Sequence, residues 1–292
     1  MPSEHDLLPI REVTRLTGVN PVTLRAWERR YGLVVPHRTS KGHRLYSAEH
    51  VHCIRQILHW LNRGIAVSQV KPLLQAASDA RPPDQSDDWQ VLRTQLIDSI
   101  AELAERRLDQ QFNQAMALYP VCTLCEQLIL PLLEQLEVRW HGHNAARMEQ
   151  VFFHSWLRSK LGVRVYHNNR QLSGAPILLI NASPLPFDPQ LWLCAWLASD
   201  AGCPVEVFDW PVPPRELALT IQRLRPCMLM MCLNTVVDTR DLLRNLSVID
   251  VPTLLVGSAV TLHQQALQDQ LTGLHPVRSA VSPLAVLKHL PS

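Results

Sequence analysis

Residues 20–32 of the chain read NPVTLRAWERRYG and predict a short, basic helix. Asn20 is a preferred helix cap, proline suits the first turn, and Gly32 suits the position just past the end. Residues 10–19, IREVTRLTGV, carry apolar side chains at helical spacing and stop at a glycine. Two short helices joined by such a turn form a helix-turn-helix, whose second helix enters the major groove of DNA.

Basic and hydrogen-bonding side chains crowd this second helix. They are the residue types that meet phosphates and base edges in nucleic-acid complexes. The residues that we expect to contact DNA from this helix are Thr23, Arg25, Trp27, Arg29, Arg30 and Tyr31. Of these, Thr23, Arg25, Trp27 and Arg30 are predicted to enter the major groove.

Residues 34–46, VVPHRTSKGHRLY, are two short extended runs around a Ser-Lys-Gly turn. This pattern predicts a β-hairpin, or wing. Its side chains are expected on the DNA backbone or in the adjacent minor groove, and they are Arg38, Lys41, His43, Arg44 and Tyr46. We place Arg44 at the hairpin tip, as a phosphate contact. Two further helices are predicted, opening at Ser47 and at Val67.

This order of elements resembles the MerR family of transcription regulators. The matching motifs are Thr23-Leu24-Arg25, Glu28-Arg29, Gly32-Leu33, Pro36-x-Arg38 and Gly42-x-Arg44-x-Tyr46. The resemblance implies a regulator that binds double-stranded DNA as a homodimer or tetramer, and two-fold symmetry implies an inverted-repeat operator. The alternative is a basic surface on a helical core that has no role in DNA binding.

Charge is distributed unevenly along the chain. Residues 1–75 carry 11 Lys and Arg against 5 Asp and Glu, whereas the rest carries 17 against 21, so the net charge of +2 conceals a basic head. Basic heads of this kind bind polyanions through counterion release. No apolar run is long enough to span a bilayer and no signal-peptide core opens the chain, so we expect a soluble, cytoplasmic protein without a membrane partner. The seven cysteines are expected to be reduced.

Composition and periodicity predict an α+β multidomain chain. We expect a winged helix-turn-helix head over residues 1–76 and a polar, proline-containing linker over 77–88. A bundle of four helices is predicted over 89–170, where apolar residues recur at helical spacing. A doubly wound α/β domain of the flavodoxin-like type is predicted over 175–292.

The α/β prediction depends on four short apolar runs that are typical of buried parallel strands. They are residues 177–180, 205–208, 228–233 and 253–256. Helical segments are predicted between and after them, at residues 190–200, 214–224, 239–247 and 261–271.

Head, bundle and α/β domain in this order resemble the branch of the MerR family that includes the cobalamin-dependent light-sensing repressors. The resemblance places Phe187 where that branch has its cobalt-ligating histidine, and a phenyl ring has no lone pair for a metal. Other positions of the cobalamin pattern also depart from it or survive only in part: Trp140, Gln150, Val151, Cys232, Asn234 and Gly257. We therefore expect neither cobalamin nor another cofactor.

Several smaller patterns have both a functional and an ordinary structural interpretation. Cys122 and Cys125 have the spacing of a redox or zinc pair, but they lie in a predicted helix without a second pair. His141 and His143 lack a partner ligand in the sequence, and we expect them in a loop or on the surface. Three acids follow presumed strands, where they cap helices more often than they bind ligands: Asp188, Asp209 and Asp238. No nucleophile-elbow or phosphate-loop motif supports an enzyme.

The sequence therefore predicts a DNA-binding transcription regulator that is not an enzyme and has no metal site. The resemblance favours a signal that comes from a partner protein, such as a flavin photoreceptor or a component of cyclic-dinucleotide signalling. Two alternatives stay open: a small-molecule or metal sensor whose α/β domain binds a ligand other than cobalamin, and an adaptor whose α/β domain is a docking surface.

Overall fold

The chain forms two units, residues 1–150 and 151–292. The structure is a computed structural model, and it describes residues 7–75, 86–141, 146–182, 187–210, 212, 214–234, 246, 249–260, 277–280 and 282–291. None of the helices described in these ranges is long and apolar enough to cross a membrane.

The helix-turn-helix is present where the sequence predicts it. Helix α1 (Ile10–Thr17) ends at Gly18, whose left-handed φ of 72° lets its amide bond the Thr14 carbonyl. Helix α2 (Pro21–Ala26) begins at Asn20, whose side chain accepts a hydrogen bond of 2.9 Å from the Thr23 amide. The helix then continues as a single π-helical turn over Trp27–Tyr31, which the sequence pattern did not reveal.

A small antiparallel sheet carries the wing. Strands β2 (His37–Arg38) and β3 (Arg44–Tyr46) form the predicted hairpin, and β1 (Leu8–Pro9) pairs with the other edge of β3. The wing turn is closed by the Thr39 amide, which donates to the His43 carbonyl at 2.9 Å. Strand β1 was missed because two residues are too few to show an alternating pattern.

The remaining helices of the first unit follow in sequence. Helix α3 (Ala48–Asn62) opens on a reciprocal cap between Ser47 and His50, and α4 (Val67–Gln75) follows it. The bundle helices are α5 (Ser86–Ala101), α6 (Glu105–Leu118), α7 (Val121–Leu124), a π turn over Cys125–Ile129, and α8 (Leu130–Trp140). Helix α9 (Ala146–Asn169) has its first residues in this unit and the rest in the second. All four predicted helical segments are thus present, although the first starts at Ser86, within the predicted linker.

Hydrogen bonds between distant parts of the sequence join the head to the bundle helices. The Trp27 indole donates to the Leu118 carbonyl at 2.8 Å, and the Trp89 indole donates to the Gly64 carbonyl at 2.8 Å. The Tyr119 hydroxyl accepts from the Val67 amide at 3.3 Å, and burial raises the pKa of Tyr119 to about 12. Head and bundle helices therefore pack as one body, where the sequence predicted separate domains on either side of a linker.

The second unit contains a five-stranded parallel sheet. Its strands are β4 (Ile177–Asn181), β5 (Val205–Phe208), β6 (Met228–Cys232), β7 (Thr253–Val256) and β8 (Val277–Ala280), in the order β5-β4-β6-β7-β8. This order is that of the flavodoxin-like fold. Helices α10 (Pro189–Asp200) and α11 (Pro214–Leu224) connect the first strands, and a 3₁₀ turn over Pro283–Lys288 follows β8.

The predicted α/β domain is thereby confirmed, with four of its five strands predicted. Strand β8 was missed because its sequence, VRSA, has no apolar run. The predicted helices at 239–247 and 261–271 lie outside the described residues, apart from Leu246.

The Trp27 side chain offers a direct test of the contact between head and bundle. We expect Trp27→Phe to lower the free energy of unfolding of the first unit by about 1–3 kcal/mol, because the Leu118 carbonyl loses its hydrogen-bond donor. The smaller phenyl ring also leaves a cavity, which lowers the stability further. Native-state hydrogen exchange of the full chain should show faster exchange in both α2 and α6. Trp210→Phe is the control, because Trp210 is 70% exposed, and it should leave both helices unchanged. Faster exchange in α2 alone would contradict a joint body.

Candidate nucleic-acid interface

The outward face of the second helix is basic. Arg25, Arg29 and Arg30 are exposed, and among the residues that the structure describes none of their guanidinium groups takes part in an ion pair. Val22, one turn before Arg25, is 57% exposed. Sequence reasoning missed Val22, although its spacing from Arg25 puts the two on one helix face. The face combines guanidinium groups with an apolar side chain, the groups that read guanine edges and thymine methyls.

Three residues that we predicted to contact DNA lie in the core of the head instead. Thr23 and Trp27 are completely buried, and Tyr46 is 1% exposed. Thr23 and Trp27 are four residues apart and share the inner face of the helix, where Trp27 reaches the bundle. Burial raises the pKa of Tyr46, the last residue of β3. These three residues position the interface but are not part of its surface, and Tyr31 is only half-exposed.

The wing presents two kinds of basic side chain. Lys41 and His43 are exposed at the tip. Arg44 was expected there, but it lies in strand β3, where its Nε donates to Glu28 Oε2 at 2.6 Å. Arg38 donates from Nη2 to Glu28 Oε1 at 2.7 Å. Sequence reasoning missed the role of Glu28, because a single acid in a basic helix gives no sign of its partners.

Electrostatics keep the Glu28 carboxylate charged. Burial alone would raise the pKa of Glu28, but hydrogen bonds and charges from Arg44 and Arg38 outweigh it and hold the pKa below its usual value. The anion therefore lies inside the basic surface and bonds both wing arginines.

Arg30 borders an open groove at the end of the second helix. The groove has a volume of about 630 Å³ and is otherwise lined by polar and small residues of α6, including Glu105, Arg106, Asp109 and Asn113. Acidic side chains and one arginine of α6 thus flank the end of the second helix of the helix-turn-helix, which we call the recognition helix.

At the carboxyl edge of the parallel sheet, side chains bind one another. Asp188 caps α10 by accepting from the Gln190 amide at 2.9 Å, as the sequence predicted, and accepts from Asn234 Nδ2 at 2.6 Å. Asn234 Oδ1 accepts from the Ser258 amide at 3.3 Å. Burial raises the pKa of Asp188, although these hydrogen bonds oppose the shift.

The described residues at this edge do not fit cobalamin. Phe187 is buried with its ring centroid 5.0 Å from that of His154, and it offers no atom to a metal. Gly257 lies so close to the end of β6 that a Cβ there would be 2.4 Å from the Leu233 carbonyl oxygen. Cys232, a further position of the cobalamin pattern, is completely buried. Leu233 and Asn234, which follow β6, therefore lie directly against Gly257, which follows β7.

The other residues considered as ligand or metal sites either have partners within the chain or lie outside the residues that the structure describes. Asp209 pairs with Arg158 at 2.6 Å, while Asp238 and His143 lie outside the described residues. Within the described ranges, no group of three or more His, Cys, Asp or Glu could hold a metal ion. None of the seven cysteines forms a disulfide.

Three positions of the cobalamin pattern lie in helices α8 and α9. Trp140 is buried, Gln150 is half-buried and Val151 is 51% exposed. Glu149 is 3% exposed and makes two hydrogen bonds to Arg139, at 2.8 and 2.9 Å. The acid in this region is thus paired within the chain.

Comparison with known proteins agrees with the head and the bundle. Residues 8–77 match the family profile described as MerR HTH family regulatory protein, and residues 92–164 match the one described as B12 binding domain. The chain is 30% identical over 226 residues to the HTH-type transcriptional regulator MlrA of Salmonella typhimurium and of Escherichia coli, which covers 75% of this chain and 83% of MlrA. The chain belongs to the MerR family of transcriptional regulators.

Two relatives from Myxococcus xanthus extend this comparison. The HTH-type transcriptional repressor CarH is 25% identical over 283 residues, covering 87% of this chain and 90% of CarH. The repressor CarA is 32% identical over 134 residues, covering 45% of each chain. A solved cobalamin-binding protein from Desulfitobacterium hafniense matches with a TM-score of 0.36 and 12% identity, over 69% of this chain and 90% of that one.

The described side chains at the sheet edge predict that this MerR protein does not bind cobalamin. After expression with excess adenosylcobalamin and desalting, we expect no visible corrin absorbance, because Phe187 cannot ligate cobalt and Asn234 bonds Asp188 and the Ser258 amide. Phe187→His alone should not restore binding, since Asn234 still bonds Asp188. A stoichiometric corrin spectrum in the unaltered protein would contradict this interpretation.

Proposed function

We propose that this MerR-family regulator acts in the cytoplasm as a homodimer that recognises an inverted-repeat operator in double-stranded DNA. The observation that carries the proposal is the outward face of α2, where exposed Val22, Arg25 and Arg29 stand on a helix whose inner face is fixed by buried Trp27. A rigid helix with free guanidinium groups on one face suits direct readout in the major groove.

Different residues serve affinity and discrimination in this proposal. Arg25 lies one turn into the recognition helix, near the end of α2, where its guanidinium reaches the O6 and N7 atoms of guanine. Lys41 and His43 lie at the exposed wing tip and contact phosphates, which position the protein without reading sequence. Arg38 and Arg44 contribute from the base of the wing, with their orientation set by Glu28.

The proposal of a homodimer follows from the small size of one head. A single head offers few phosphate contacts, so we expect it to bind near the non-specific range, at about 10⁻⁴ to 10⁻⁶ M. Joining two heads makes the second half-site encounter intramolecular and raises affinity by about 10² to 10⁴. An operator of two inverted half-sites matches this symmetry.

The signal in this proposal comes from a partner protein that binds the second unit. Support comes from the sheet edge, where Asp188 and Asn234 satisfy each other rather than a ligand. Further support comes from Trp210, which follows β5 and is 70% exposed. Tryptophan is enriched among the residues that contribute most to the binding energy of protein interfaces.

The DNA role of Arg25 is tested by selecting bound sequences from random DNA and then titrating the selected operator. We expect Arg25→Ala to weaken operator binding by about 1–3 kcal/mol and random DNA by less, because a bidentate base contact is lost. Lys41→Ala, the matched control, should weaken both DNAs alike and lower the salt slope by about 0.9 per phosphate lost. Equal losses for Arg25→Ala on both DNAs would make Arg25 a phosphate contact, and selection of no sequence by the unaltered protein would contradict the proposed function.

Truncation tests what the rest of the chain contributes. A fragment ending at Ala76 lacks the partners of Trp27 and Val67, so we expect it to be destabilised. A fragment ending at Arg170 keeps Leu118 and Tyr119, so its head should stay folded. We expect the longer fragment to bind the operator at least about tenfold more weakly than the full chain and to lose the response in a reporter strain. Full affinity and full response in that fragment would exclude residues 171–292 as the dimerising and sensing part.

A further inference from the structure

We propose that Glu28 is a positioning residue for operator recognition, which sets the geometry of the wing by holding Arg38 and Arg44 and does not itself contact DNA. The inference rests on the proposed function, because it concerns how the same surface meets its operator. Glu28, the only acid among residues 20–32, thereby contributes to the specificity of DNA binding rather than to its affinity.

The wing sheet contains an electrostatic conflict. The register of β2 and β3 places Arg38 directly opposite Arg44. Like charges directly opposite in an antiparallel pair destabilise it. The paired strands are only two and three residues long, so backbone hydrogen bonds give the wing little rigidity of its own. The wing therefore needs an external group to hold its two cations together.

Glu28 supplies that group from the recognition helix. One carboxylate oxygen accepts from Arg38 at 2.7 Å and the other from Arg44 at 2.6 Å, and the Glu28 side chain is only 12% exposed. Charge-assisted bonds of this length are stronger than neutral ones, and partial burial lowers the screening that weakens surface pairs. The adjacent residue, Trp27, is completely buried, so the carboxylate is anchored on a fixed part of the helix. The wing is thus oriented relative to the recognition helix by one side chain.

An anion at this place has opposite effects on affinity and on specificity. Its charge reduces the positive potential that attracts phosphates, so removal of the charge should favour binding to any DNA. Its two bonds fix the guanidinium groups, so their removal should lower the advantage of the correct operator. A residue that only stabilised the fold would change both kinds of binding in the same direction. Removal of the Glu28 charge should therefore raise the affinity for random DNA and lower the preference for the operator.

The test compares Glu28→Gln with Glu12→Gln in the full chain. Glu12 also pairs with an arginine of the head, Arg15, at 2.9 Å, but that pair lies on the surface of α1 and both its members belong to α1 rather than to the wing. Both variants remove one negative charge and keep the size of the side chain. Each is titrated on the selected operator and on random DNA at the same salt concentration, and its melting temperature is recorded.

We expect Glu28→Gln to bind random DNA as well as the unaltered protein or better, and to lose about tenfold in the ratio of operator to random affinity, equivalent to about 1.4 kcal/mol. Glu12→Gln should leave that ratio unchanged. In a background that carries Arg38→Ala and Arg44→Ala, Glu28→Gln should have no further effect on the ratio, because Glu28 acts through those two residues. An unchanged ratio of operator to random affinity, including an equal fall in both affinities, would overturn the proposal.

A measurement without DNA separates this proposal from the proposed function. The amides of Thr39 and Gly42 are hydrogen-bonded within the wing turn. Glu28→Gln should increase their hydrogen-exchange rates by about tenfold, and Glu12→Gln should not change them. Unchanged wing exchange in Glu28→Gln would overturn the positioning role even if the protein reads its operator. Faster wing exchange in a protein that selects no sequence would instead reject the proposed function and leave the hold of Glu28 on the wing in place.

Discussion

The interface depends on the burial of one side chain, the indole of Trp27. Its nitrogen donates to the carbonyl of Leu118, the last residue of α6, and no part of the ring is exposed. A buried indole without a partner would cost free energy, so this bond fixes which face of the recognition helix turns inward. Because that face is fixed, Val22, Arg25 and Arg29 are held outward. The same bond makes the bundle helices part of the structure that presents the interface.

Trp27 and Glu28, adjacent residues of the π turn, have different structural roles. Trp27 orients the helix on the protein, whereas Glu28 orients the wing on the helix. The basic surface is therefore not simply a maximum of positive charge. An acid placed within it lowers its general attraction for phosphates and defines where two arginines lie. In the proposed function, this favours one operator over a large excess of other DNA.

Local signals in the sequence predicted local structure well. The cap at Asn20, the glycines that end α1 and the π turn, and the apolar runs of β4 to β7 each depend on a few neighbouring residues, and all are confirmed. The failures concern side chains whose partners lie far away in the chain. Trp27 is predicted from the sequence to enter the major groove, but it is buried and its partner is 91 residues away. The position of Arg44 was wrong for a similar reason, since only the fold brings Glu28 beside the wing.

In the second unit, the described side chains at the carboxyl edge of the sheet bond or pack against one another. The strand order is intact, but Asp188 and Asn234 bond each other and Phe187 is packed against His154. In the proposed function, the signal comes from a partner protein that binds the surface of this unit.

The most direct test of this account is the hydrogen-exchange rate of the Trp27 indole proton in the full chain, assigned by NMR through its loss in Trp27→Phe. The account predicts that this proton is protected as strongly as the core amides of α6 and exchanges only when the first unit unfolds, while the indole proton of exposed Trp210 exchanges at the rate of a free indole. Rapid exchange of both indole protons would show that the recognition helix is not held by the bundle helices, and would contradict the central claim.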